Sequence, residues 1–266
     1  MPTILIDSID DPRIDLYRGL TLANRTRWSG RFIAEGPLVV ERLFRSDYAV
    51  ESVLLSDRRV ASLGPKFPDD ALVYVMPHAM ARELLGFKFH TGVLACGLRR
   101  RPPSLETVLR AGSSARSTFV VCDQVADQEN MGAIVRHCAA FGADALLLGV
   151  GCADPFSRRV LRVSMGNAFF LPIFETTTLT DELAALRDNH SFELAATVLD
   201  DAAEPLSEAQ RADRTALLLG NEGDGLADEL IALSDRKLTI PMNPGTDSLN
   251  VATTAAIALY HLTRVV

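Results

Sequence analysis

Three short segments hold side chains that could do chemistry on a polar ligand. The most C-terminal runs from a strand-like Lys237–Met242 through a Pro/Gly loop to Ser248, Leu249 and Asn250, at the head of an Ala-rich helix. Polar groups at a strand-to-helix junction sit where α/β sheets place their ligands. Asp247 or Ser248 could also act simply as a helix cap, satisfying the first free amides. The middle segment, 217–226, leads three leucines into Gly220, Gly223 and Gly225 with Glu222 among them. Glycines there let a ligand approach the backbone and let amides converge on it, and a tight turn is the plainer reading. The first segment, 130–148, places Asn130 and Gly132 at the start of a helix and Arg136 six residues further on. Six residues are about 1.7 turns, so Asn130 can share a crevice with Arg136 only from a cap or loop position. Taken singly, a cap, a close-packing glycine and a solvated arginine would explain these residues.

The surrounding elements make the conjunction informative. Apolar runs at 119–125, 145–151, 169–175, 193–199, 215–221 and 237–242 alternate with helix-like stretches at 131–141, 156–165, 180–189, 226–234 and 249–264. Such alternation predicts an α/β domain with a parallel sheet covered on both faces. All three polar segments then follow strands at their C-terminal ends, the edge where open α/β sheets bind ligands.

Upstream the pattern is smaller and also mixed. It reads as a helix near 13–24, a strand at 31–35, a helix at 37–46 opened by Pro37, strands at 50–56 and 71–76, a helix at 78–86 and a strand at 91–98. Residues 99–117 combine an Arg triplet, a Pro pair and a Ser/Gly/Arg cluster, which is linker composition. The expected organisation is a domain over 1–98, a linker over 99–117 and a second domain over 118–266.

Composition bounds the function. At 266 residues, 48% hydrophobic and 23% charged, the chain reads as a globular protein with no apolar run near membrane-spanning length. The acidic beginning shows no signal-peptide pattern, so the expected location is the cytoplasm. Cys96, Cys122, Cys138 and Cys152 form no CxxC pair, and His78, His90, His137, His190 and His261 have no ligand spacing, so no metal is expected. The net charge of −7 hides an asymmetry: residues 1–116 hold 17 basic and 13 acidic residues, and 117–266 hold 10 and 21. Of the 27 basic residues 24 are Arg, the side chain suited to bidentate phosphate contacts and base stacking. Asp200 and Asp201 read as a solvated turn and Arg99–Arg101 as a solvated linker. Arg158, Arg159 and Arg162 read as a helix face or as the lining of a path for a polyanion. Neither GxGxxG nor GxxxxGK[ST] occurs, which argues against dinucleotide and triphosphate sites.

In order and spacing the three segments resemble the SpoU family of RNA ribose 2′-O-methyltransferases, in the SPOUT superfamily. The resemblance rests on Asn130, Gly132 and Arg136, on Gly220, Glu222, Gly223 and Gly225, and on Ile240, Pro241, Met242, Ser248, Leu249 and Asn250. The stretch 154–173 supports it, and the whole covers roughly 119–262. Residues 31–44 are similar to the small substrate-binding domain that many members carry, an α/β fold like that of some ribosomal proteins.

The resemblance implies a catalytic domain with a trefoil knot and S-adenosylmethionine bound at Gly220, Ile240 and Leu249, with Gly225 and Met242 beside them. It implies a homodimer whose sites are completed across the interface. Arg136 would be catalytic, with Asn130, Glu222, Ser248 and Asn250 orienting it and the ribose. A guanidinium is effectively always protonated, so Arg136 is better read as gripping a phosphate and polarising the hydroxyl than as a base. The expected substrate is structured RNA, ribosomal in preference to transfer RNA because of the added N-terminal domain. The alternatives are a transfer RNA ribose methyltransferase and a non-catalytic RNA-binding or ribosome-assembly factor.

Overall fold

The computed structural model describes residues 2–20, 29–111, 116–243, 245 and 248–265. The chain divides into two compact units, Met1–Arg101 with Phe156–Phe170, and Pro102–Pro155 with Leu171–Val266.

In the first unit β1 (Thr3–Leu5), β2 (Arg31–Glu35), β3 (Val50–Ser56), β4 (Val73–Met76) and β5 (Val93–Leu98) form one sheet in the order β1–β4–β3–β5–β2. β1, β4 and β3 are parallel, and β5 runs antiparallel to β3 and β2. The connecting helices are α1 (Pro37–Phe44), α2 (Val60–Leu63) and α3 (His78–Leu85). Pro37 opens α1 because an N–H in the first helical turn has no helical acceptor to lose. The strands expected at 31–35 and 50–56 form as read, and the others shorten by a residue or two. The helix expected over 13–24 does not form as such. Pro12–Tyr17 is a 3-10 turn, and Gly19, at φ +60°, turns the chain so that its amide reaches Leu84 O. Residues 21–24 lie outside the described residues.

The second unit is the predicted parallel α/β sheet. β6 (Ser117–Cys122), β7 (Ala145–Leu148), β8 (Ile173–Glu175), β9 (Glu193–Thr197), β10 (Glu204–Pro205), β11 (Arg214–Leu219) and β12 (Arg236–Thr239) take the order β10–β12–β9–β11–β6–β7–β8, every pair parallel. Successive side chains of a strand point to opposite faces. Phe119, Val121, Leu194, Ala196, Ala216 and Leu218 share one core cluster, and the alternate residues Val120, Leu217 and Leu219 are buried as well. That double burial is why the strands read as unbroken apolar runs. The helices of this unit are α4 (Leu105–Ala111), α5 (Gln128–Phe141), α7 (Leu179–His190), α8 (Asp228–Leu233) and α9 (Val251–Tyr260). α4 corrects the linker reading of 99–117, since its Val108 is buried in the sheet's core. Residues 112–115 of that stretch lie outside the described residues. The run at 169–175 yields only β8, because Asn167–Phe169 forms a 3-10 turn and Pro172 has no N–H for a ladder.

The segment 156–170, with α6 (Arg158–Val163), was expected inside the second domain and clusters instead with the first unit. The cause is local packing. Phe156 and Phe169 lie 5.5 Å, centroid to centroid, from Phe32 of β2. The Phe32 ring lies against Gly97 of β5, its cross-strand partner, where a Cβ would overlap it. Glu35, 5% exposed, receives the Arg158 guanidinium and has that of Arg162 at 3.8 Å. Arg42 Nη1 donates to Met165 O at 2.6 Å. Arg158 and Arg162, read as a helix face or a path for a polyanion, are therefore partners of a buried carboxylate. Counted by unit, the first holds 18 basic and 12 acidic residues and the second 9 and 22, or +6 and −13.

Candidate active site

The loop after β11 is built by one side chain. Asn221 Oδ1 accepts the amides of Gly223 and Asp224, both at 2.7 Å, and its backbone pairs with Gly225 in an antiparallel bridge. Gly225 closes that turn at φ +74°. Gly220 is pressed so closely against the Gly225 carbonyl and the Leu226 amide that a Cβ there would overlap both. The glycine spacing thus encodes a folded-back loop whose backbone borders open space.

That space is a cavity of about 600 Å³ at the C-terminal ends of β9, β11 and β12. It is bordered by Gly220, Gly225, Ile240, Met242 and Leu249, all five residues expected at a cofactor, together with Glu222 and Ser248. Thr197–Asp200 form another wall, and Asp200 is the exposed turn residue expected from sequence, its carbonyl accepting from the Ala203 amide at 3.0 Å and its Oδ1 from the Ala202 amide at 2.9 Å. The fourth side comes from Val251, Thr254 and Ala258 of α9. Thr197 and its followers carried no motif in the sequence, and only the strand order β12–β9–β11 brings them here.

Beside the cavity the three polar segments are joined by hydrogen bonds. Asn250 Nδ2 donates to Asn130 Oδ1 at 2.8 Å, and Asn130 Nδ2 donates to Glu222 Oε1. Asn250 also caps α9, its Oδ1 accepting from Ala252 at 2.9 Å and Thr253 at 3.3 Å. The cap is therefore not Ser248, which is exposed at the cavity, and the Asp247 reading lies outside the described residues. Asn130 is not a cap either. Asp127 caps α5, accepting from Glu129 and Asn130, both at 2.8 Å, and frees the Asn130 side chain for its two partners. The sequence reading missed Asp127 and Asn221, although an Asp before a helix and an Asn within a Gly-rich turn are the signals that find them.

Arg136 is not brought to this cluster. It is exposed on α5, does not border the cavity and makes no hydrogen bond or ion pair among the described residues. Six residues turn the helix by about 600°, which places Arg136 and Asn130 on different faces. Next to it, burial pushes the His137 imidazole below its usual range. Burial also pushes the Cys122 thiol, at the end of β6, well above its usual range.

The cavity suits a ligand that is part apolar and carries positive charge. Leu199, Leu206, Leu238, Ile240, Met242 and Leu249 supply apolar walls. Asp200, Glu222, Asp224 and Asp228 face the single cation Lys237 among the lining residues. Its volume lies within the range of about 300–1,000 Å³ common for small-molecule sites.

Comparison with known proteins agrees with this geometry. The profile of the SpoU rRNA Methylase family matches residues 117–260. An uncharacterized tRNA/rRNA methyltransferase of Mycobacterium tuberculosis (strain ATCC 25618 / H37Rv) is 40% identical over 264 residues, covering 96% of this chain and 90% of that protein. The 23S rRNA (guanosine(2553)-2′-O)-methyltransferase RlmP of Bacillus subtilis is 27% identical, covering 97% of this chain and 98% of its own. Among solved structures, an AdoMet-bound rRNA methyltransferase from Sinorhizobium meliloti superposes with a TM-score of 0.82 at 25% identity, over 98% of both chains. The SpoU methyltransferase AviRb from Streptomyces viridochromogenes, in complex with AdoMet, gives 0.80 at 25% identity over 96% of this chain and 97% of that one.

Proposed function

The chain belongs to the SpoU rRNA methylase family and is an S-adenosylmethionine-dependent RNA methyltransferase, and from that premise we propose that it methylates a ribose 2′-hydroxyl in structured ribosomal RNA. The observation that carries the reading is the convergence of Asn130, Glu222 and Asn250 beside a cavity bordered by every residue expected at the cofactor.

The residues fit that cofactor. Gly220 lets the loop fold back against Gly225 and Leu226 at the cavity edge, the apolar walls suit an adenine and a thioether chain, and the carboxylates suit an ammonium and a sulfonium. When bound, the cofactor supplies a methyl group on a positively charged sulfur. The chain's own residues have three further tasks. Asn130, fixed at both ends of its amide, presents a rigid polar group beside the cavity, and rigidity there aligns a nucleophile. Ser248 and Glu222 border the place where a ribose would sit. Arg136, permanently charged, grips an RNA phosphate and stabilises negative charge developing on the 2′-oxygen.

Arg136 stands away from the cavity of its own chain, and this supports a homodimer in which each site is completed from across the interface. α9 and α5 offer the seam: Tyr260 is 53% exposed and Ile257 40%, with the Phe141 ring 5.9 Å from that of Tyr260. The remaining readings follow the family. The end of the chain threads a trefoil knot, residues 1–98 bind the substrate RNA, and the protein works in the cytoplasm. Among the described residues no helix is long and apolar enough to cross a membrane.

The test supplies methyl-labelled S-adenosylmethionine with separate pools of ribosomal and transfer RNA. A methylated ribose blocks alkaline cleavage at its 3′ side, so label in alkali-resistant dinucleotides from ribosomal RNA is the expected result. Label confined to bases would overturn the ribose reading, and label confined to transfer RNA would overturn the substrate.

A further inference from the structure

Two arginines just after β5, read from sequence as linker, are seated on aromatic rings. Arg100 Cζ lies 5.6 Å from the centre of the Tyr48 ring, and Arg99 Cζ lies 5.5 Å from that of Phe156. The two rings are 5.3 Å apart and both contact Phe32, at 5.6 and 5.5 Å. Phe32 and Phe169 are the buried base of this cluster, and Tyr48 and Phe156 are its half-buried outer layer. The backbone holds Arg99 in register, its amide donating to Gly30 O at 2.8 Å and its Nε to Arg31 O at 2.9 Å. The Arg100 side chain is 56% exposed, and its ion pair with Asp47 is long, 3.6 Å, with an acid 91% exposed. Such a pair contributes little. Arg101 follows, exposed.

Linker composition explains charge at these positions and not the seating of guanidiniums on rings. A guanidinium over a ring can take a second flat partner on its other face, and the exposed Arg100 is placed to do so. Unpaired RNA bases are recognised by stacking on aromatic and arginine planes, with cations taking the adjoining phosphates. The unit carrying this cluster is the basic one, +6 by count, so it complements a polyanion.

We propose that Tyr48, Arg99 and Arg100 form a platform on which an unpaired base of the RNA substrate stacks, with Arg101 taking a flanking phosphate. The proposal rests on the reading that the substrate is RNA. It gives Arg99–Arg101 a recognition role distinct from the methyl-transfer site.

The test titrates the full-length protein with a fluorescent oligouridine of about 12 nucleotides, within the usual single-strand site size. Arg100→Ala and Tyr48→Leu should each weaken binding several-fold, and Arg99→Ala with Arg100→Ala by roughly tenfold or more. The discriminating variant is Arg99→Lys with Arg100→Lys. It keeps both charges, and so the salt dependence, but lacks the planes, and should lose nearly as much affinity as the alanine pair. Calorimetry with S-adenosylmethionine on every variant reports that the chain is folded. A lysine pair that binds like wild type would reduce the patch to charge alone, as suits an acidic protein segment, and would overturn the platform. An alanine pair that binds like wild type overturns it too, as does a wild-type protein that methylates RNA but binds no oligouridine. Only a wild-type protein that methylates no RNA would remove the functional reading as well.

Discussion

Asn250 at the head of α9 donates its side-chain amide to Asn130 Oδ1 on α5 at 2.8 Å, across 120 residues of chain. The same side chain caps its own helix through Oδ1. One residue thus fixes a helix start and ties two polar segments together, using its acceptor for the first task and its donor for the second.

These tasks can be separated. Asn250→Asp retains the acceptor and loses the donor, so it should melt in urea like wild type while methyl transfer falls roughly tenfold, the worth of one hydrogen bond that matters. Asn250→Ala should lose the same activity and about 1 kcal/mol of stability besides, as for other removed caps. Full activity in Asn250→Asp would show that the link to Asn130 has no part in the reaction.

Gly220 and Gly223 lie three residues apart and predict opposite outcomes. A methyl at Gly220 meets backbone of Gly225 and Leu226, whereas at Gly223 its nearest neighbour is Asn221 Oδ1 at 3.5 Å, an ordinary contact. Gly220→Ala should strain the loop by about 1–3 kcal/mol and weaken S-adenosylmethionine binding at least tenfold by calorimetry. Gly223→Ala should bind as wild type. Equal affinities would detach the loop from the cofactor site.

Arg136 is exposed and outside the cavity, so Arg136→Ala should leave cofactor affinity unchanged. Its single-turnover methyl transfer should fall by about 10²–10³, the usual effect of removing a charge-stabilising group. A variant with normal turnover would take Arg136 out of the mechanism.

Glu35 is buried with Arg158 and Arg162 as its partners. Glu35→Gln leaves the Arg158 cation without its counterion, at a cost of about 3 kcal/mol on the scale of broken buried pairs. Urea denaturation followed in the first unit, with Trp-free probes such as labelled RNA binding, should show the lower midpoint, and an unchanged midpoint would mean that water compensates the arginine.

Burial pushes the thiols of Cys96 and Cys138 up to about 12 and that of Cys152 to about 11. Unfolded thiols ionise near about 8.5. A raised folded value contributes stability that is intact below the unfolded pKa and lost as pH rises through the folded one. The urea midpoint should therefore hold to about pH 8 and decline toward pH 10, and Cys138→Ala should decline less steeply. Identical slopes would assign the decline to other groups.

Much of the second unit was legible because a strand buried on both faces must be apolar at every position, which makes β6 and β11 plain in the letters. The three polar segments were legible for a related reason: a glycine-rich turn, an Asn near a helix start and an acid after such strands leave few structural explanations once they occur together. Segment 156–170 was not legible. Its Phe and Arg residues suit any helix, and only Phe32 and Glu35, more than a hundred residues earlier, decide which unit holds it. α4 was hidden by its flanking Pro and Arg residues, which outweigh one buried Val108 in any reading by composition.

By itself the sequence determined the parallel α/β architecture, because local alternation acts over a few residues, and its resemblance to the family named the expected cofactor residues that border the cavity. The tertiary structure decided that Asn250 and not Ser248 is the cap, that Asp127 frees Asn130, that Asp200 faces the cavity and that Arg136 stands outside it. Those outcomes depend on strand order and helix rotation, which are set by packing between residues far apart in the chain and leave no mark in any single segment.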